Sequence, residues 1–158
     1  MTNAQVDHWQ QTRSAYRLDP IALAKGNRAV AEAVEWALAR VAKEPVLVYA
    51  TSTPDEVKRA QEALGVAGAG AIVEEALAHV ARALVSAGTR KLVVAGGETS
   101  GAVVGALGVR ALRIGPQIDP GVPWTQSLEA QPIALALKSG NFGTVDFFSK
   151  ALAQLEAR

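Results

Sequence analysis

Leu92-Val93-Val94-Ala95-Gly96-Gly97-Glu98-Thr99-Ser100-Gly101 is an apolar run that passes without a break into a glycine turn. Residues 102–107 then read as a short helix closed by Gly108. The same plan returns further on. Pro132-Ile133-Ala134-Leu135-Ala136-Leu137 leads into Lys138-Ser139-Gly140-Asn141-Phe142-Gly143, and Thr144 reads as the cap of a last helix that turns Phe147, Phe148, Ala151, Leu152 and Leu155 inward. A continuous apolar strand, without polar alternation, fits a sheet covered on both faces. Val46-Leu47-Val48-Tyr49-Ala50 has the same character.

Helical patterns separate these strands. Val30, Ala33, Val34, Ala37, Leu38 and Val41 fall on one face of a helix over residues 28–43. Thr53-Pro54-Asp55-Glu56 is a capping box with proline at the first helical position, opening a helix to about Leu64. Gly65-Val66-Ala67-Gly68-Ala69-Gly70 reads as a flexible break, and a long helix resumes over Ile72 to Val85. Thr2-Asn3-Ala4-Gln5 has capping-box form and predicts a helix from the third residue, followed by a short extended piece, Tyr16-Arg17-Leu18. Pro20 opens a short helix that Gly26 ends. Ala111-Leu112-Arg113-Ile114 reads as a third strand, and the proline-bearing residues 115–128 as loop with at most a short extended stretch. Alternating strands and helices give an α/β domain: a mostly parallel sheet with helices on both faces, Rossmann-like and three-layered, spanning residues 1–158.

Composition narrows the class. The 158 residues carry 16 Lys+Arg against 15 Asp+Glu, and the basic residues are scattered, so there is no stripe for nucleic acid and no polybasic cluster for a membrane surface. Without cysteine, disulfides, thiolate catalysis and Cys-ligated metals are excluded. No apolar run reaches the ~20 residues of a membrane helix, and the polar N-terminus is not a signal peptide. The expectation is a cytoplasmic protein.

Both glycine turns leave the carboxyl end of a strand and precede a helix. Free backbone N–H groups and the positive end of a helix dipole gather there, and glycine lets a ligand approach the backbone closely. Two such turns could face one anion, with a nucleotide polyphosphate the natural candidate; a purely structural turn is the alternative for either alone. The candidate contacts are Gly96, Gly97, Glu98 and Thr99, and Ser139, Gly140 and Asn141. Neither turn is a Walker A loop or a G-x-G-x-x-G fingerprint. Glu98 could hold a metal ion, its water shell or a ribose hydroxyl, or simply be a carboxylate favoured by a helix N-terminus. Lys138 could neutralise a phosphate or be a solvated strand-end lysine. His8 and His79 stand alone and read as surface or boundary residues, and Trp9, Trp36 and Trp124 as packing residues. No Ser-His-Asp arrangement and no catalytic carboxylate pair is visible.

Three runs taken together, residues 96–103, Leu112-Arg113-Ile114-Gly115-Pro116-Gln117-Ile118-Asp119-Pro120-Gly121-Val122-Pro123-Trp124 and residues 135–143, resemble the C-terminal nucleotide-binding domain of the four-carbon acid sugar kinases, some of which carry an older label as Hrp-dependent type III effectors. The resemblance implies an ATP-dependent kinase of threonate, erythronate or 3-oxo-tetronate, with Mg²⁺, in which the two turns contact the ATP phosphates. The family also has an N-terminal domain with a D-D-x-T-G motif, which holds the sugar acid and the catalytic base. A strand ending in a G-S-x-S-like loop precedes its T-x-x-Q helix. Neither is found here, so the chain resembles a C-terminal domain truncated at its N-terminal strand, with no catalytic residue of its own. ATP or ADP is then its direct partner, and a sugar acid reaches it only through the other domain; the oligomeric state stays open. The alternatives are a non-catalytic binding or interaction module that keeps the fold, or a secreted effector.

Overall fold

The computed structural model describes residues 1–51 and 53–156. In chain order the elements are α1 (Thr2–Gln10), β1 (Ala15–Arg17), α2 (Pro20–Ala24), α3 (Arg28–Val41), β2 (Leu47–Tyr49), α4 (Pro54–Leu64), α5 (Val66–Ser86), β3 (Lys91–Ala95), α6 (Gly97–Ala106), β4 (Leu112–Asp119), β5 (Val122–Ser127), β6 (Ala134–Lys138) and α7 (Phe147–Glu156). The α/β reading holds.

The apolar strands are apolar because both of their faces are covered. Leu47 and Tyr49 of β2, Val93 and Ala95 of β3, and Ala134 and Ala136 of β6 pack with Val6, Trp9, Phe147 and Phe148 of α1 and α7. The alternate residues face the other way: Val48 joins the cluster of α2, α3 and α5, and Leu92, Val94 and Leu137 that of α5 and α6. Period two in the strands thus produces three layers. Alanine sets the spacing of the helical layer: Ala33, Ala37 and Ala76 are buried where α3 meets α5.

Parallel and antiparallel pairings occur in equal number. β1 pairs parallel with β2 and β3 parallel with β6, while β5 runs antiparallel to both β6 and β4. The region expected as loop is therefore a hairpin. Its prolines fit because β4 is the outermost strand, with register irregularities on either side of Gln117, and Pro123 lies before the first β5 residue that pairs with β6. The corner is Pro120-Gly121, with Gly121 at φ +79°.

Two expectations about helices also change. Gly65, at φ +77° and ψ 155°, alone turns the chain between α4 and α5, and Gly68 and Gly70 lie inside α5. The axes of α4 and α5 meet at 102°. The T-x-x-Q box of α1 does not close either: Met1 is the N-cap, with no side-chain capping bond.

The strands form two sheets, β1-β2 and β3-β6-β5-β4. Between the edges of β2 and β3 lies a mainly apolar cavity of about 360 Å³, floored by Leu77 and Leu84 of α5 on one side and by Trp9 and Phe148 of α1 and α7 on the other. Among the described residues no single helix is long and apolar enough to cross a membrane.

Candidate functional site

β3 and β6 are neighbours in register, Ala95 opposite Lys138, so the two glycine turns leave the same end of the sheet side by side. The Gly96 N–H donates to the Lys138 carbonyl at 2.9 Å and joins them directly.

In the first turn Gly96 has φ +116°, and a Cβ there would lie 3.0 Å from Thr99 Oγ1. Glycine is required at that position by the turn itself. Gly97 differs: its φ is ordinary and a Cβ would meet nothing within 4 Å. The first helical bond of α6 runs from Ser100 N–H to the Gly96 carbonyl at 2.9 Å. The N–H groups of Gly97, Glu98 and Thr99 have no acceptor among the described residues. The Glu98 side chain is exposed and carries no hydrogen bond or ion pair there.

The second turn is held from beneath by side chains. Thr2 Oγ1 donates to the Gly140 carbonyl at 2.9 Å, and Gln5 Nε2 donates to the carbonyls of Phe142 and Thr144 at 3.1 and 2.8 Å. This is why the capping box stays open: both of its side chains are engaged some 137 residues further along the chain. Lys138 Nζ lies 3.2 and 3.3 Å from the Ser139 and Gly140 carbonyls and 3.4 Å from Thr2 Oγ1. The solvated reading of Lys138 is overturned, because its side chain is 2 % exposed. Ser139 and Asn141 are exposed at the tip, and the Gly140 and Asn141 N–H groups have no acceptor among the described residues.

The far end of this turn is tied to the hairpin. Asp119, buried at the end of β4, accepts from the Thr144 N–H at 2.9 Å and from Lys150 Nζ. Burial would raise the Asp119 carboxyl, but the bonds from Lys150 and Thr144 together outweigh it and hold it below the ordinary aspartate value. Thr144 is thus a tether rather than a helix cap, and α7 begins only at Phe147. The helix-dipole argument therefore applies to the first turn alone; the second presents its own backbone.

All seven residues singled out from the sequence fall in these two adjacent turns. Thr2, Gln5 and Asp119 complete the arrangement, and no local pattern announces these roles, since each acts on a segment distant in sequence. His8 is half-buried and His79 exposed. Trp9 and Trp124 are core residues, the latter with its indole N–H on the Ala151 carbonyl at 2.9 Å.

A family described as the nucleotide-binding C-terminal domain matches residues 1–148. This chain belongs to that family. Among proteins similar to this member, one from Cupriavidus necator, named 3-oxo-tetronate kinase, is 64 % identical over 155 residues, covering 98 % of this chain and 35 % of its own length. A Burkholderia multivorans protein of the same name is 59 % identical, with 98 % and 36 % covered. A crystal structure of a Haemophilus influenzae protein superposes with a TM-score of 0.91 at 38 % identity, over 97 % of this chain and 37 % of that one. The nucleotide-binding domain described here thus spans about a third of the length of the relatives it matches.

Proposed function

We propose that this chain is the ATP-binding domain of a kinase that phosphorylates a four-carbon sugar acid of the threonate, erythronate or 3-oxo-tetronate type. The observation that carries the reading is the Ala95–Lys138 register, which sets two turns with unbonded N–H groups next to each other. Gly97, Glu98 and Thr99 offer N–H groups at the positive end of α6, and Gly140 and Asn141 offer two more. An anion with several oxygens, such as a di- or triphosphate, satisfies both turns at once. Gly97 and Gly140 support this, because neither has a left-handed φ and a Cβ at either meets no close protein atom, so their missing side chains leave room for a ligand.

The role of these residues is to bind and orient the phosphates and to stabilise charge as the terminal phosphoryl leaves. The donor set suits Mg²⁺ carried mainly by phosphate oxygens. Among the described residues there is no cluster of three His, Asp or Glu, and Glu98 is a single exposed carboxylate free to meet the ion's water shell. The ion, when bound, neutralises phosphate charge. The sugar acid and the base belong to the remaining two-thirds of the parent protein, which works in the cytoplasm where ATP is supplied. The cavity between β2 and β3, lined in part by Thr2, Val6 and Trp9 of α1, has space for a further apolar segment. An interaction module or secreted effector without a nucleotide leaves the paired N–H groups without a use.

Calorimetric titration with Mg-ADP tests the reading, on the parent protein with Gly97→Asp and Gly140→Asp. A Cβ fits at both sites without a close contact, and the added carboxylate would meet the phosphates. We expect each variant to lose at least tenfold in affinity; unchanged affinity in both sinks the assignment.

A further inference from the structure

Lys138 is only 2 % exposed, and among the described residues it has no carboxylate within ion-pair distance. An isolated buried ammonium is costly, and burial lowers its pKa from the ordinary lysine value. Its neighbours are Thr2 Oγ1, the Ser139 and Gly140 carbonyls, and the Phe147 ring, whose centroid lies 6.0 Å away. None of these balances a full positive charge.

The two carbonyls explain what the side chain does. In a trans peptide the C=O and the N–H of the next residue point to opposite sides of the chain, and there are no cis bonds here. With the Ser139 and Gly140 carbonyls turned toward Lys138 Nζ, the N–H groups of Gly140 and Asn141 must point away from it. Neither of those N–H groups has an acceptor among the described residues. The backbone of Lys138 also holds the first turn, through the 2.9 Å bond from the Gly96 N–H. One residue therefore touches both turns, and behind the second it places a positive charge that no carboxylate among the described residues neutralises.

We infer that Lys138 is a positioning residue for phosphate: it orients two peptide planes of the 139–141 turn so that their N–H groups face the anion, and its ammonium provides the balancing charge behind them. The inference rests on the nucleotide reading above and names the group recognised, the phosphate chain rather than the nucleoside.

Replacing Lys138 separates this role from a structural one. Each carbonyl keeps a second donor in its absence, since Phe142 N–H reaches the Ser139 carbonyl at 3.1 Å and Thr2 Oγ1 the Gly140 carbonyl at 2.9 Å. Exchanging an unpaired buried ammonium for an apolar side chain of similar length removes its desolvation cost. We expect Lys138→Met to melt at the same or a higher temperature than the unmodified protein, to bind Mg-ADP at least tenfold more weakly, and to bind adenosine within twofold. Lys138→Arg, which keeps the charge, should recover part of the Mg-ADP affinity. A Lys138→Met variant that binds Mg-ADP normally, while Gly97→Asp does not, overturns the inference and leaves the nucleotide reading standing. No Mg-ADP binding by the unmodified protein overturns both. If Lys138→Met fails to fold, amide NMR of the unmodified protein decides. Downfield shifts of the Gly140 and Asn141 N–H groups with Mg-ADP, but not with adenosine, support the role, and their absence overturns it.

Discussion

Glycines in the two turns serve opposite ends, and substitution should tell them apart. Gly143 has φ +82°, and a Cβ there would lie 2.6 Å from the ring of Phe147, which is fully buried. Gly143→Ala must strain the backbone and displace a core ring, and we expect it to cost about 2 kcal/mol or more. Gly97 has an ordinary φ and open space, so Gly97→Ala should leave stability unchanged or raise it by about 0.5 kcal/mol, by restricting the unfolded chain. Urea denaturation checks both. Sequence alone lists these as equal glycines in glycine turns; only the surroundings show that one is needed by the fold and the other leaves room for something outside it.

At the scale of elements, α4 shows local rules working and α1 shows them overruled. The Thr53 box closes as read: Thr53 N–H donates to Glu56 Oε2 at 3.0 Å, and Glu56 N–H to Thr53 Oγ1 at 3.4 Å. The Thr53 backbone bond first, with the Arg17 guanidinium at 2.8 Å, holds the Glu56 carboxyl down to about 2. A carboxylate favoured in the folded state stabilises it fully above the ordinary value of 4.5, and that contribution fades as pH falls through about 2. We expect a carbon-detected NMR titration of Glu56 to show a midpoint near 2, moving upward in Thr53→Ala. Thr53 and Glu56 find each other within four residues, so sequence reveals them. Thr2 and Gln5 have the same spacing but better partners far along the chain, and spacing cannot report that. The same limit hid the hairpin. Prolines 116, 120 and 123 argue for loop until β4 is known to be an edge strand and Pro123 to lie outside the β6 pairing. Strands β2, β3 and β6 and both turns were legible because their apolar runs and glycines are contiguous. Lys138, Gln5 and Asp119 were not, because burial and pairing are properties of the assembled layers.

At the scale of the molecule, the cavity between β2 and β3 interrupts the hydrogen-bond ladder in the middle of the fold. Side chains of α1, α5 and α7 bridge it, but no backbone bond of the sheet crosses it. Two strands of three residues each make a marginal sheet by themselves, whereas β3 and β6 share a five-residue register within four strands. Opening should therefore occur in two steps. We expect native-state amide hydrogen exchange to release Leu47 and Tyr49 at a lower free energy than Val94 and Leu135, and the difference to shrink in the parent protein if an extended segment occupies the gap. The pair of turns lies wholly on the more protected side, so the nucleotide end of this domain can stay organised while its other edge breathes.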